Sequence, residues 1–593
     1  MTINQKPRTK NQNNKRRAAP FRVARLNSNN MKLYTLLLAS FLSTASFAQT
    51  FLSSPKGLNN SNPLSALQFC ADPTAVEYNG RVYVYGTNDQ QQFDEGTGFK
   101  TEAQGGVGND YGKINSLVCM SSADLVNWTW HKPIEVKQIA KWTGCSWAPS
   151  ICSREEADGQ THFYLYFANG ASGIGVLTST SPTGPWTDPL GKAMIPWGMK
   201  GMGDITWLFD PGVVVDKDGT GWLAWGGGGG VHQNNVAKGA NEMLDMNTRI
   251  AKLNPDMISI APENITILPA PYHFEASELN IIGGKFVYTY CSDWSGDRSK
   301  WGEFNYYDHS KAKPSAPGTA QMCYMVSTDP LNADSWQYVG MYGKNPSNFG
   351  YPGGNNHTHL QKFLNNYYLF YHCHNTEGSL KPSSDAKGGY RNIQVNAIEV
   401  NEATAKISEI SMSNGGSLLR NNRIKLTDKN QAETMYNNSA GTGFYYNDDV
   451  VAVHFKEPGS WVGVRSVTSD VYVKSFKAKL RGKGKLEVHL GDGKTINPEP
   501  IATIEFSSTR RLEEFSTTLT EPIKSSGYLY FVCTEVSNTS TYFDEWQFFE
   551  DDITAISSAQ SSEKVVKEEY FNLSGVKCEK PANGTYISVP LTL

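Results

Sequence analysis

Short runs of alternating apolar and polar residues occur along the whole chain, and one kind of run recurs five times. Each copy begins with a Gly or Asn turn and continues as an aromatic strand with a period of two residues, which predicts a β-hairpin. The copies are NGRVYVYG at 79–86, DGQTHFYLYFANG at 158–170, DGTGWLAWGG at 218–227, GGKFVYTYCS at 283–292 and NNYYLFYHC at 365–373. A Ser/Thr-rich turn that ends in Trp follows three of these strands.

The spacing of the hairpins predicts an all-β chain that begins with a propeller. Five hairpins separated by roughly 60–80 residues favour a five-bladed β-propeller over residues 66–410, with one small antiparallel sheet in each blade. A parallel α/β fold would require amphipathic helices between the strands, and the pattern does not contain them. Between 426 and 550 the strands become shorter and their spacing is typical of a β-sandwich of the jelly-roll type.

Composition excludes several classes of protein. The 593 residues include 54 basic and 57 acidic side chains, and the net charge of −3 provides no global field for nucleic acid, so we expect no nucleic-acid partner. The 54 Gly, 29 Tyr, 26 Phe and 14 Trp disfavour coiled coils, helical bundles and disordered scaffolds. The nine cysteines contain no CxxC pair. A Cys145–Cys152 disulfide and buried free thiols are equally open alternatives.

The N-terminal segments predict export. Residues 31–48 have one Lys, a short apolar run and small residues before Gln49, which is typical of a signal peptide. Residues 1–30 are basic, Asn-rich and poor in apolar side chains, so we expect a disordered extension. The apolar run is too short for a membrane span. We therefore expect a secreted, periplasmic or cell-surface protein. We also expect it to be a monomer.

Three carboxylates occur at similar positions in their repeats. Asp72 lies in CADPT, Asp210 in LFDPG and Glu275 in HFEASEL, each about 8–9 residues before a hairpin turn. Because the innermost strands of a propeller line one channel, this register predicts that the three side chains meet in a pocket. The alternative is that Asp-Pro marks ordinary turns and Glu275 is a solvated charge. Three such groups suit acetal hydrolysis, in which one deprotonates water, one protonates the leaving oxygen and the third raises the acid's pKa.

An ordered set of motifs resembles glycoside hydrolase family 43 over about residues 66–405. The set comprises the ADP start, SWAP at 146–149, FDPG with DGTGWLAWGG, FEASEL, GGNNHTH at 353–359 and YRN at 390–392. The resemblance implies a five-bladed propeller that hydrolyses arabinose- or xylose-containing plant polysaccharides with inversion, without an organic cofactor. It also implies that Asp72 is the general base, Asp210 orients and tunes the acid, and Glu275 is the general acid. Glu278 is the rival for the acid role.

Four further residues are candidates for substrate binding. We expect Trp147 to stack on a sugar face or, as an even alternative, to lie in the core. Arg391 binds a hydroxyl of the terminal sugar or forms a surface ion pair. Trp294 lies on a loop that rims the predicted cleft, and His357 lies at the predicted channel centre. Family members commonly have Glu after WAP, where this chain has Ser150.

Two places are candidates for a metal ion. The resemblance implies a structural calcium with its waters near His357, although calcium prefers oxygen ligands. The His-Cys-His run at 372–374 lacks a four-ligand set, which argues against zinc.

Residues 426–550 resemble family 6 carbohydrate-binding modules through QAE, GSWVGVR and FDEWQF. That resemblance implies a second structural calcium, for which Glu433 and Asp544 are the matching carboxylates.

Sugar binding by the second domain is open. Those modules usually hold a sugar between two aromatic rings, and the loop that matches one ring position here contains Arg510, Arg511 and Leu512. Tyr445 or Tyr446 is the candidate for the other ring. The alternative is a structural domain that shields the propeller. Residues 551–593 form a polar linker and a tail that resembles C-terminal sorting signals, or alternatively a small strand pair.

These observations lead to three hypotheses of function. We expect an exo-acting glycosidase that removes α-L-arabinofuranosyl groups from arabinoxylan or related hemicellulose. The first alternative is a β-1,4-xylosidase acting on xylo-oligosaccharides, because both sugars present similar hydroxyl geometry to a shallow pocket. The second alternative is a carbohydrate-binding propeller without activity. The expected partners are therefore xylan-type plant polysaccharides and their oligosaccharides.

Overall fold

The structure is a computed structural model that describes residues 54–551, apart from residues 67, 97, 204, 229–246, 295–297, 417–423, 448–449, 494 and 537–540, and three strands of the tail. The predicted extension and signal peptide lie outside the described residues, so export stays a prediction. Within the described part, no helix has both the length and the apolar character that a membrane crossing requires.

Antiparallel sheets form five blades in chain order, as predicted. Blade one contains β1 (Ala71–Tyr78), β2 (Arg81–Thr87), β3 (Leu117–Ser122) and β4 (Trp128–Trp130). Blade two contains β5 (Trp147–Glu155), β6 (Thr161–Ala168), β7 (Gly173–Ser179) and β8 (Ile195–Pro196). Blade three contains β9 (Gly212–Val215), β10 (Gly221–Gly226), β11 (Thr248–Leu253) and β12 (Ile260–Ile267).

The remaining blades follow the same order. Blade four contains β13 (His273–Ile282), β14 (Lys285–Ser292), β15 (Met322–Ser327) and β16 (Gln337–Gly343). Blade five contains β17 (Thr358–Phe363), β18 (Asn366–Cys373) and β19 (Asn392–Ala397), and a hairpin of β20 (Val400–Asn401) and β21 (Lys406–Ile407) follows. In the part of the chain that the structure describes, the loops carry three short α-helices, α1 (Asp89–Glu95), α2 (Val136–Ile139) and α3 (Asn375–Leu380).

The aromatic strands of the repeat are the second strands of the blades. They are buried on both faces because each blade packs between two neighbours, so their apolar side chains form a ring of five inter-blade cores. Val84 of blade one and Phe370 of blade five lie in the core that closes this ring. The chain before β1 also contributes, since the Leu64 amide donates to the Ile393 carbonyl at 2.9 Å.

The second domain is a curled β-sheet around its own apolar core, which agrees with the predicted all-β sandwich. Its long strands β28 and β29 bend from one side of the core to the other, so the hydrogen-bonded sheet is continuous. The strands are β22 (Ile424–Lys425), β23 (Asn430–Gln431), β24 (Thr434–Met435), β25 (Asn437–Asn438), β26 (Thr442–Tyr446), β27 (Val451–Phe455), β28 (Ser460–Gly491), β29 (Ala502–Val536) and β30 (Thr541–Phe549). The tail contributes β31 (Lys567–Phe571), β32 (Lys577–Cys578) and β33 (Ile587–Leu591).

A shared seam joins the two domains. Strand β24 belongs to the chain of the second domain but pairs with β4, where Thr434 lies opposite Thr129. Beside it, the Asn127 side-chain amide donates to the Arg465 carbonyl at 2.9 Å and accepts from the Arg465 amide at 2.8 Å. The second domain therefore extends blade one by a strand.

The described cysteines are free. All eight are buried thiols, including Cys145 and Cys152, so the alternative of a disulfide between these two is wrong. Their burial matches the behaviour of free cysteines as small apolar side chains.

A buried lysine lies in the segment before the propeller. Lys56 is 3% exposed, and its ammonium donates to the carbonyls of Ser61 at 3.3 Å and Pro63 at 2.8 Å. Burial, with a smaller effect of Arg465, lowers the pKa of Lys56 to about 7. Lys56 therefore binds its proton less tightly in the folded protein than in the unfolded chain.

This difference predicts that stability rises with pH above neutrality. Between about pH 7 and pH 10 the unfolded chain keeps the Lys56 proton that the folded protein has lost, so the free energy of unfolding gains up to ~1.4 kcal/mol per pH unit from this group. Denaturant unfolding of the wild type and Lys56→Met at pH 7, 8 and 9 measures the difference. As pH rises, the free energy of unfolding of the wild type should increase relative to that of Lys56→Met. For Lys311→Met, at an exposed lysine, it should change with pH as in the wild type. Parallel curves for Lys56→Met would contradict the prediction.

Candidate active site

The first strands of four blades begin with the same unusual backbone turn. Asp72, Ala148, Asp210 and Ala276 have φ values of 52°, 35°, 48° and 65°, a left-handed conformation that is uncommon for residues other than glycine. Asp72 and Asp210 occupy this turn themselves, while Glu275 precedes it by one residue. The predicted common register is therefore correct for the two aspartates and wrong by one residue for the glutamate. A β-bulge on each side of Glu275 accounts for the offset.

Asp72 is a buried carboxylate with several donors. Its Oδ1 accepts from Nη1 of Arg391 at 3.0 Å, and its Oδ2 accepts from the Thr87 hydroxyl at 2.7 Å. Burial by itself raises the pKa of Asp72, but the charge of the Arg391 guanidinium holds it well below its ordinary value. Asp72 is therefore ionised throughout the neutral range.

Hydrogen bonds also orient the histidine beside Asp72. The Asp72 amide donates to Nδ1 of His372 at 3.0 Å, so the ring proton is on Nε2, which lies 3.1 Å from the Asn355 carbonyl. Burial lowers the pKa of His372, which keeps this ring neutral. His357 lies on the same side, with Nδ1 3.6 Å from Asp72 Oδ1, and burial lowers its pKa to about 3.

Arg391 is part of a buried ion cluster. Asp89, the first residue of α1, accepts from Nε at 2.9 Å, from Nη2 at 2.8 Å and from the Arg391 amide at 3.0 Å. The Tyr111 ring covers the guanidinium, with its centroid 4.7 Å from Cζ. Arg391 is 3% exposed, so the alternative of a surface ion pair is wrong. Asp89 and Tyr111 gave no sequence signal, because neither belongs to a repeat or a motif.

Asp210 and Glu275 form the protonated side of the pocket. Asp210 accepts from the Ala276 amide at 2.7 Å, yet burial and then the charge of Asp72 raise its pKa to about 8. Burial, followed by the charges of Asp210 and Asp72, raises the pKa of Glu275 well above its ordinary value. The Oε1 atom of Glu275 is buried and has no hydrogen-bond partner in the described part of the chain. Burial, more than a neighbouring charge, therefore keeps this pair protonated.

Glu278 has a structural environment instead. Its side chain is 2% exposed, and its two oxygens are hydrogen-bonded to Nδ1 of His359 and, at 3.4 Å, to the Ser150 hydroxyl. The Ser150 oxygen also accepts from the Val213 amide at 3.0 Å. These contacts tie blades two, three, four and five together across the channel. Both oxygens of Glu278, the rival for the acid role, therefore already have hydrogen-bond partners, and Ser150 is one of these partners.

Aromatic side chains lie at the entrance. Trp147 is partly exposed rather than in the core, and its indole N–H donates to the Tyr111 carbonyl at 2.7 Å. Trp294 follows β14 and is 43% exposed, as expected for the rim of a cleft. Contacts of Trp147, Trp294, Arg391 and His357 with a substrate stay predictions.

The two calcium sites also stay predictions. Glu433 has features that fit a cation, since its Oε2 is buried without a hydrogen-bond partner in the described residues, and burial with the charge of Asp544 raises its pKa. Asp544 fits less well, because the Lys479 ammonium lies 2.7 Å from its Oδ2. Among the residues that the structure describes, no three His, Cys, Asp or Glu side chains are grouped to hold a metal, near His357 or elsewhere. The chemistry below does not depend on calcium.

The pocket thus combines groups of opposite protonation state. Asp72 is ionised and can accept a proton, while Glu275 is protonated and can donate one. One ionised and one protonated carboxyl group are what the hydrolysis of an acetal bond requires.

Comparisons with known proteins agree with this chemistry. An arabinoxylan arabinofuranohydrolase of Bacillus subtilis (strain 168) is 34% identical over 543 residues, which are 87% of this chain and 98% of that protein. One of Paenibacillus polymyxa is 33% identical over 513 residues, 82% of this chain and 74% of that protein. The crystal structure of a family 43 arabinoxylan arabinofuranohydrolase from Bacillus subtilis in complex with cellotetraose has a TM-score of 0.72 at 31% identity and covers 84% of this chain and 100% of that chain. The sequence model of glycosyl hydrolases family 43 matches residues 60–402, so this chain belongs to glycosyl hydrolases family 43.

Proposed function

We propose that the protein is an inverting, exo-acting α-L-arabinofuranosidase that removes arabinofuranosyl side groups from arabinoxylan or a related hemicellulose. The observation behind this proposal is the opposite protonation state of Asp72 and Glu275 in one pocket. Support for the sugar comes from the two relatives named arabinoxylan arabinofuranohydrolases, which resemble this chain over most of its length.

In this proposal Asp72 is the general base. Its carboxylate is ionised before substrate binds, and the hydrogen bonds from Thr87 and Arg391 fix the direction of its oxygens. A water molecule held by Asp72 attacks the anomeric carbon from the side opposite the leaving group and gives its proton to the carboxylate. This direction of attack inverts the anomeric configuration.

Glu275 is the general acid in the same step. Its buried carboxyl group gives its proton to the glycosidic oxygen, which leaves as a hydroxyl group of the polymer. The proton taken up by Asp72 and the proton lost by Glu275 balance, and both groups return to their starting states by exchange with water. Asp210 orients the acid, because it accepts a hydrogen bond from the Ala276 amide and so fixes the backbone next to Glu275.

Product analysis on arabinoxylan tests the function. We expect free arabinose and an intact xylan main chain by chromatography, and proton NMR should show the β-anomer of arabinose first, because inversion converts an α-linkage into a β-product. Release of xylose from xylo-oligosaccharides would instead support a β-xylosidase. A folded protein that releases neither sugar would support a propeller that only binds carbohydrate.

Replacement of the acid tests the assignment of Glu275. We expect Glu275→Gln to reduce kcat on arabinoxylan by about 10²–10⁴-fold, and much less on an aryl arabinofuranoside whose leaving group needs no proton. Glu278→Gln is the matched control, since it makes the same replacement on the same strand at a structural position. That control should lower the Tm and keep most of the turnover. The reverse pattern would assign the acid role to Glu278.

Removal of the guanidinium tests the charge of the base. In Arg391→Gln, no positive charge remains to oppose the effect of burial on Asp72, so the pKa of Asp72 rises. The acidic limb of the plot of kcat/KM against pH should therefore move up by about one to three pH units. Activity is lost as pH falls through the pKa of the base, so the shift is towards higher pH. Arg154→Gln, at a partly buried arginine of blade two, should leave the limb in place. An unchanged limb in folded Arg391→Gln would contradict the role of Arg391.

A further inference from the structure

A second polar cleft lies at the seam between the two domains. It has a volume of about 670 Å³ and is bounded by blade one on one side and by the chain around β22 and β23 on the other. Arg81, Tyr83 and His131 form the propeller wall. Arg81 lies opposite Tyr78 at the far end of the β1–β2 hairpin from Asp72, which places the cleft roughly 20 Å from the catalytic carboxylate.

Arg81 provides this cleft with a charge that no carboxylate neutralises. Its Nε and Nη2 atoms donate to neutral oxygens, the Ser121 hydroxyl at 3.3 and 2.9 Å and the Thr129 hydroxyl at 2.9 Å, and Nη1 takes no part in this anchoring. Among the described residues, none of the acidic side chains lies within 4 Å of it. A guanidinium stays charged at any working pH and prefers a planar carboxylate as its partner. The cleft therefore contains an anchored cation that fits a carboxylate ligand.

An aromatic surface lies next to this cation. The Tyr83 and His131 rings are stacked, with centroids 6.0 Å apart and planes inclined by 24°. The Ser121 hydroxyl that anchors Arg81 is also 2.8 Å from Nε2 of His131. Burial, with a smaller effect of Arg81, lowers the pKa of His131 to about 4, so this ring is neutral around pH 7. A half-buried aromatic ring beside a hydrogen-bonding cation is a surface on which the C–H face of a sugar can pack.

The cations of the opposite wall already have acidic partners. Lys425 and Lys429 line it, but their ammonium groups are paired with Asp470 at 3.8 Å and Glu545 at 2.8 Å. Asp428 is an acidic residue of the same wall. Asp124 also lines the cleft, and its carboxylate accepts hydrogen bonds from the Ser122 hydroxyl and from the Val126 and Asn127 amides. Arg81 is therefore the cation of this lining that has no carboxylate within 4 Å among the described residues, and it can pair with one carboxylate of a ligand.

We propose that this cleft is a second carbohydrate-binding site, specific for a uronic acid residue of a plant polysaccharide. The carboxylate of the uronosyl group binds the guanidinium of Arg81, and the sugar ring packs on Tyr83. The catalytic pocket, with its excess of carboxyl groups, is unsuited to an acidic sugar, so the two sites select different residues of one polymer. Binding here requires no turnover, and its measurement is independent of the proposed function.

Calorimetric titration of the full-length protein tests this site. The probes are a xylo-oligosaccharide with one hexuronic acid substituent and no arabinose, the same oligosaccharide without the acid, and free hexuronate. We expect the acidic oligosaccharide to bind at least about tenfold more tightly than the neutral one, with an affinity that falls as salt increases. Equal affinity for the acidic and neutral oligosaccharides would overturn the proposal. Free hexuronate that binds as tightly as the acidic oligosaccharide would overturn the assignment to a carbohydrate chain.

Variants locate the binding in the cleft. Arg81→Gln should weaken binding of the acidic oligosaccharide at least about tenfold, and Tyr83→Ala should weaken both oligosaccharides, while hydrolysis of an aryl arabinofuranoside stays at the wild-type rate. Arg154→Gln, outside the cleft, is the matched control and should bind as the wild type does. Because Tyr83→Ala removes no anchor of Ser121 or Thr129, it keeps the test valid if Arg81→Gln fails to fold. Wild-type affinity in folded Tyr83→Ala and Arg81→Gln would overturn the proposal.

Discussion

The chemistry of this protein depends on one buried ion cluster, in which the Arg391 guanidinium binds the carboxylates of Asp89 and Asp72. A buried charge is costly unless it is paired and hydrogen-bonded. Asp89 occupies Nε, Nη2 and the backbone amide, so only Nη1 remains for Asp72. Since Asp72 begins the first blade and Arg391 precedes the last strand of the fifth, the cluster also links the two ends of the ring.

The same cluster divides the carboxyl groups into two classes. Burial raises the pKa of Asp72, Asp210 and Glu275, but of these three only Asp72 contacts a cation, and the charge of Arg391 reverses the effect there. Asp210 and Glu275 therefore stay protonated at neutral pH beside an ionised neighbour. Because the pocket is desolvated and its guanidinium contacts only one of the three side chains, chemically identical carboxyl groups take on the protonation states of a base and of an acid.

The rest of the fold maintains this arrangement. Five cores between neighbouring blades fix the angular positions of the inner strands, and the Glu278–His359 contact ties blades across the channel. The second domain extends blade one through β24, so its packing bears on the blade that contains Asp72. The cleft at that seam exists only because the two domains share a blade edge. Catalytic and proposed binding sites therefore depend on opposite ends of the same hairpin.

The sequence by itself determined the five blades, the all-β second domain and the three carboxylates in the channel, because strand alternation, turn residues and ordered motifs are local properties of the chain. It left open the state of the thiols, the setting of Arg391 and the choice between Glu275 and Glu278. Tertiary structure decided the first two, and it added Asp89, Tyr111 and the cleft at the seam. For the third, it showed that Glu278 is hydrogen-bonded to His359 and Ser150, whereas Oε1 of Glu275 has no hydrogen-bond partner among the described residues. The reason is physical: protonation and ion pairing depend on desolvation and on charges close in space, and Arg391 is 319 residues from Asp72 along the chain but 3.0 Å from it in the fold.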